Sequence, residues 1–202
     1  SGDFSVLCGG KNNLVSGLYC VIGGGYGNRN TGTGSFIGGG RKNRTSSQYN
    51  FIGSGQQNGI SGSNSVIIGG IGNFVNPGVT AAFIGGGQHN TAFGSYSVIA
   101  NGKFNKSFDF CFIGSGTNNL AQGSYSNILN GQNNSVLGNN STICSGISNV
   151  ILVGANNAII NSGVNNIIYS SLNSGIAGGT NNIIHVGADN SFIGVGNNNN
   201  MS

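Results

Sequence analysis

The sequence predicts an all-β fold, a parallel β-solenoid (a β-roll) of about thirteen short coils. Three observations predict it. An eight-residue motif returns along the whole chain, the glycine content is one that helices do not carry, and the apolar residues come as adjacent pairs rather than at spacings of three and four.

The motif reads apolar, Ile, small, small, Gly, any, any, Asn. It is VIGGGYGN at residues 21–28, FIGGGRKN at 36–43, FIGSGQQN at 51–58, FIGGGQHN at 83–90 and FIGSGTNN at 112–119. Sixteen copies can be placed, and position two is Ile in all but the first, where it is Leu7. Position five is Gly and position eight Asn in every copy but the one starting at Ile167, which carries Ser171 and Ser174, and Asn173 there suggests a one-residue slip.

Copies stand 14 to 17 residues apart up to position 142 and 8 or 9 apart afterwards. One scheme covers both spacings: each coil has two short strands. Residues 1–141 form coils of roughly 15 residues in which the strict motif alternates with a looser segment, such as TAFGSYS (91–97) or LAQGSYS (120–126). Residues 142–202 continue the solenoid with the strict motif in both half-coils. Such segments are too short to stand alone, but stacked copies pair with the coil on either side at about 4.8 Å, giving a rod of roughly 60 Å.

Each motif position then acquires a task. Ile at position two fills a narrow core. Gly at position five permits positive φ at a corner. Asn at position eight tolerates left-handed geometry and can form a side-chain ladder. Forty of the 202 residues are Gly and only one, Pro77, is Pro, as expected where every strand must donate to its neighbour. Adjacent strand residues point to opposite faces, so an inward Ile puts Phe36, Phe51, Val66, Phe83 and Phe112 outside. A column of that length is an interaction surface, and a parallel homotrimer would bury it. The alternative is a corner that turns both residues of each pair inward.

Segments such as GSFIGGGRKN (34–43), GSNSVIIGGIGN (62–73) and GSYSVIANGKFN (94–105) resemble the YadA-like head repeats of trimeric autotransporter adhesins, and similar repeats occur in fibres of phages and large viruses. The resemblance covers residues 6–141 well and 142–199 loosely. It implies a trimeric, left-handed parallel β-roll on a cell or virion surface that binds a host or matrix component. The family's repeat sets its apolar residues two apart, whereas here they are adjacent.

Charged residues are 5% of the chain, and the acids are Asp3, Asp109 and Asp189. Glycosidase or lyase chemistry usually draws on paired carboxylates, or on acids with bases and metal ligands. That counts against a polysaccharide-acting enzyme, so no catalytic residue and no cofactor is expected. His89 and His185 lie several coils apart and do not read as a zinc pair, the glycine loops lack the Asp of calcium-binding rolls, and no metal site is expected. Cys8, Cys20, Cys111 and Cys144 read as small buried or half-buried side chains rather than disulfides. Free thiols suit a particle assembled in a reducing cytoplasm. No stretch of about 18 apolar residues spans a membrane. The opening Ser1-Gly2 reads as a tag remnant on an excised fragment.

The basic residues carry the site signal. All seven precede residue 107, so residues 1–106 carry +6 and the remainder −2. Lys11, Tyr26, Arg41 and Lys103 share motif position six, and Arg29, Arg44 and Lys106 share the residue after the motif. Stacking brings Lys11, Tyr26, Arg29, Arg41, Lys42 and Arg44 onto one ridge, suited to an anionic glycan. Nucleic acid is not expected, because the net charge of +4 is modest and Tyr26 is the one aromatic on the ridge. The expected function is attachment to a host cell or matrix glycan or protein, on the outside of a cell or virion. The alternatives are a purely structural spacer and a polysaccharide-acting β-helix.

Overall fold

A computed structural model describes residues 2–202. The described residues contain no helix and form a parallel β-solenoid of about thirteen turns, built mostly from two-residue strands. Contacts divide the chain into two compact units, Ser1–Gly102 and Lys103–Ser202.

In the first unit, strands such as Val21–Ile22, Phe36–Ile37, Phe51–Ile52 and Val66–Ile67 pair in parallel, one per coil, with Phe36 opposite Phe51 and Ile37 opposite Ile52. A second sheet takes the other half of each coil, with Arg29–Asn30, Arg44–Thr45, Gly59–Ile60 and Phe74–Val75 in register. A third ladder, unforeseen from sequence, runs through motif position six as single bridges from Lys11 to Tyr26, Arg41, Gln56, Ile71 and Gln88.

The two-residue strands alternate faces as expected. Ile22, Ile37, Ile52, Ile67, Ile84 and Ile99 are fully buried, facing Ile60, Val75 and Ala92 of the second sheet across a narrow core. Their neighbours look out: Phe36, Phe51 and Phe83 are 37–38% exposed, and the Phe36 and Phe51 rings stack at 5.2 Å. The inward-turning corner is therefore excluded.

Two kinds of corner close the coil. Gly at position five has φ of 86° at Gly40 and 98° at Gly55, and a Cβ on Gly40 would come within 2.1 Å of the Gly55 carbonyl oxygen in the next coil. Here the expectation for glycine holds. For position eight it needs correction. The left-handed residue is the seventh, Lys42, Gln57 or His89, with φ near 55°, and the Asn that follows turns inward. Asn43 and Asn58 are buried; Asn43 Oδ1 accepts from the Asn58 backbone N–H at 3.0 Å, and Asn43 Nδ2 donates to the carbonyls of Gly39 and Gly55. The ladder is thus mainly side chain to backbone. The opposite corner repeats the device with Ser35 and Asn50, where Ser35 Oγ accepts from the Asn50 N–H at 3.0 Å. Pro77 lies in a turn, beside Gly78 at φ 79°.

The second unit follows the same plan. Ile113, Ile128, Ile143, Ile160 and Ile176 form its fully buried column, and the Asn ladder runs through Asn119, Asn134, Asn149, Asn166 and Asn182. The change of spacing at 142 lies inside this unit, and Asn127–Ile128, Thr142–Ile143 and Ile159–Ile160 pair without interruption. From here both half-coils carry the strict motif, but the eighth residue differs in role. In second-sheet copies it is Asn157 or Asn190, which do adopt left-handed φ. Asn173 occupies the same corner, bonded to both neighbours, so the one-residue slip is real.

Cys20 and Cys111 are buried in the small-residue corner, each Sγ donating to a backbone carbonyl of the next coil at 3.0 Å. Cys144 is half-buried. Cys8 corrects the reading, because it sits exposed on the first described turn. All four thiols are free.

Candidate functional site

The six ridge residues all fall in the first unit and flank one corner of its coils. Lys11, Tyr26 and Arg41 succeed one another on the position-six ladder. Arg29 and Arg44 are register partners on the second sheet, just beyond the buried Asn28 and Asn43. Lys42 stands at the left-handed corner between these columns, its stem over Gly27, where an added Cβ would lie 3.5 Å from Lys42 Cγ. All six side chains are exposed.

The backing is rigid. The inward neighbours of Arg29 and Arg44 are Asn30 and Thr45, both fully buried, with Thr45 Oγ1 donating to Asn30 Oδ1 at 2.7 Å. Asn30 Nδ2 in turn donates to the Ser35 carbonyl at 2.7 Å. Backbone and side-chain bonds together fix the spacing of the two arginines at one coil, about 4.8 Å. Tyr26 links the ladder: the Arg41 guanidinium lies 5.9 Å from its ring centroid, a cation–π contact, and its hydroxyl accepts from Asn12 Nδ2 at 3.5 Å.

The electrostatics are one-sided. Residues 1–102 hold five basic side chains and one acid, Asp3, in the first described turn. Like charges stacked in register repel, and an anion laid along the corner relieves that repulsion. Lys103 and Lys106 share the same motif columns but belong to the second unit, where Lys103 Nζ lies 5.0 Å from the Phe104 ring centroid.

His89 is exposed in the first unit, while in the second His185 stacks on Tyr169 at 5.8 Å. No group of three metal-ligating side chains occurs among the described residues.

Sequence reasoning missed a second surface feature, the aromatic residues at the opposite left-handed corner. Phe4, Tyr19, Tyr49 and Tyr96 all have φ of 55–56°, and Tyr19 and Tyr49 are each 60% exposed. A signal was present but broken: each lies directly before the Ser, Cys or Asn that precedes an apolar strand pair, while Gly34, Asn64 and Ala81 interrupt the column. No known family model and no curated protein matches the chain.

Proposed function

We propose that this chain is a surface-exposed attachment domain that holds a basic ridge against an anionic glycan of a host cell or matrix, and that it acts as a homotrimer rather than as an enzyme. The observation that supports attachment is the ridge: five exposed cations and Tyr26 on a hydrogen-bonded backbone, with a single acid in their unit. Fixed charges at the coil repeat favour a linear polyanion lying along the stack, and presentation on three chains turns weak sites into useful avidity.

The test is a triple variant. Arg41→Gln and Lys42→Gln copy Gln56 and Gln57 of the next coil, so the backbone is already known to carry them; Arg44→Gln completes the set. Binding to immobilised heparin should fall at least tenfold, the salt dependence should flatten, and the melting temperature should stay put. Parental binding by the triple variant would remove the ridge as receptor site and leave the spacer reading.

The trimer draws on the outward Phe36, Phe51 and Phe83. Light scattering should return about 60 kDa, three times 20.3 kDa, and Phe36→Ser with Phe51→Ser should lower that mass. A parental chain that stays monomeric at all concentrations would refute the trimer.

A further inference from the structure

The missed aromatic corner cannot be explained by folding alone. A bulky L residue at positive φ pays a steric cost that glycine avoids. Gly34 occupies this same corner, between the coils of Tyr19 and Tyr49, at φ 61°. The fold therefore accepts glycine here, yet it carries Tyr19 and Tyr49, whose 60% exposure recovers little by burial. The left-handed geometry itself belongs to the coil, since Asn64 and Ala81 adopt it in the same column; what sets Tyr19 and Tyr49 apart is a large ring left exposed that the fold does not require.

Their geometry suggests which use. The coil repeat of about 4.8 Å brings successive rings to stacking distance, and Phe4 and Tyr19 stack at 5.3 Å with planes 7° apart. Tyr19 thus has one face on Phe4, and its other face meets the coil of Gly34, which has no ring. Tyr49, two coils on from Tyr19, leans over the glycine: a Cβ there would lie 2.8 Å from Tyr49 Cδ1. Between Phe4 and Tyr49 the aromatic ladder is broken only at Gly34, which has a tyrosine on each side; beyond Tyr49 the column continues through Asn64 and Ala81. Tyr49 can clear the glycine by side-chain rotation alone, a motion of picoseconds to nanoseconds at the surface.

We infer that this gap between Tyr19 and Tyr49, floored by Gly34, receives a pyranose ring of the anionic glycan. The inference rests on the proposed attachment function and adds a ring-recognising subsite to it. A pyranose offers an apolar C–H face for stacking and a polar rim, and tyrosine matches it with an apolar ring and a polar tip. Arg29 precedes Gly34 in its coil, and Arg44 precedes Tyr49 in the next. The two arginines start the short second-sheet strands that lead to this corner, so a glycan chain crossing those strands sets one ring in the gap and its acidic groups on the ridge.

Gly34→Tyr supplies the missing rung in a conformation that Tyr19 and Tyr49 already adopt, and Tyr19→Ser removes one wall. Each would be measured against a heparin oligosaccharide, polyvinyl sulfate (equal in charge type, without sugar rings) and oligo-dT. Both variants should lose at least tenfold in oligosaccharide affinity and keep parental affinity for polyvinyl sulfate. Gly34→Tyr should still fold but melt a little below the parent, because a side chain at φ 61° is strained and Tyr49 must move aside, and the ridge triple variant should lose both ligands. Parental oligosaccharide affinity in both variants overturns the subsite, as does a loss confined to oligo-dT, which would assign the gap to nucleobases. If the parent binds polyvinyl sulfate but no saccharide, the subsite alone falls. If it binds neither, the ridge falls with it.

Discussion

Removing one rung of the buried asparagine ladder, Asn58→Ala, tests the corner design directly. Asn58 is 1% exposed and makes three side-chain hydrogen bonds: Nδ2 donates to the carbonyls of Gly70 at 2.9 Å and Ser54 at 3.1 Å, and Oδ1 accepts from the Asn73 N–H at 3.0 Å. The losses are unequal. The Gly70 carbonyl still accepts from the Gln56 N–H, and Ser54 is exposed, so water can reach its carbonyl. The Asn73 N–H is buried and loses its acceptor. An orphaned buried donor costs about 1–3 kcal/mol and each lost bond about 1 kcal/mol, partly recovered here, so the variant should lose ~2–4 kcal/mol. That is a large part of a domain stability of about 5–15 kcal/mol.

Repeat arrays open by parts, so amide exchange is the sharper assay. Asn73 should lose protection first, with its coil neighbours following. Asn58→Asp sharpens the test further: it keeps the acceptor but turns a carboxylate toward two carbonyl oxygens. Burial and those oxygens raise its folded-state pKa above the unfolded value, so the penalty is full at neutral pH and fades as pH falls through the folded pKa. A stability within 1 kcal/mol of the parent for Asn58→Ala, with Asn73 still protected, would refute the account of the ladder.

Two further outcomes follow from the same geometry. Ile84 is fully buried between Ile67 and Ile99, so Ile84→Asp places an unpaired charge in the core and should prevent folding, whereas Ile84→Val should cost about 1 kcal/mol; a soluble Ile84→Asp variant with parental circular dichroism would break the register. Asn130 is exposed, with Oδ1 2.7 Å from the Gly131 nitrogen that must attack its side chain to form a succinimide, while Asn58, also followed by Gly, is held by its three bonds. Peptide mapping after alkaline incubation should therefore find deamidation at Asn130 well before Asn58, and the reverse order would contradict the burial assigned to the ladder.

The core was legible because two signals coincide there: Ile recurs at one motif position, and a two-residue strand leaves no choice of face. The corner was half legible. A nearly unbroken run of Asn announces a column, but sequence spacing carries no dihedral angle. The left-handed seventh residue is Asn or Gly in many coils, such as Asn12, Gly27 and Gly72, but Lys42, Gln57 or His89 in others, a fainter mark than the nearly invariant Asn beside it, so strain was assigned one residue too late. The third ladder escaped for a related reason: its members, among them Arg41, Gln56 and Ile71, pair through backbone alone. The ridge columns were legible because stacking converts equal motif position into adjacency. The aromatic corner lay in the looser half-coils, where no strict motif marked the positions.

This separation of inside from outside explains how the charge could be placed as it is. The coils are specified by an inward residue per strand, a glycine, a buried Asn at one corner and a buried small residue, such as Ser35, Asn50, Cys20 or Ala82, at the other. The outward residues are unconstrained: the column of Arg29 continues through Arg44, Gly59, Phe74 and Thr91 in unbroken register. Two arginines one coil apart repel weakly, because both are exposed and screened, whereas the backbone bonds beneath them are made whatever the side chain. The fold therefore sets the positions of surface groups without choosing their chemistry, and similarity of fold says little about the ligand. The concentration of five bases in residues 1–102 against a single acid is not a demand of folding. It is the kind of asymmetry that the proposed anionic ligand would explain, and the ridge variant, which leaves every inward residue in place, tests that proposal without disturbing the fold.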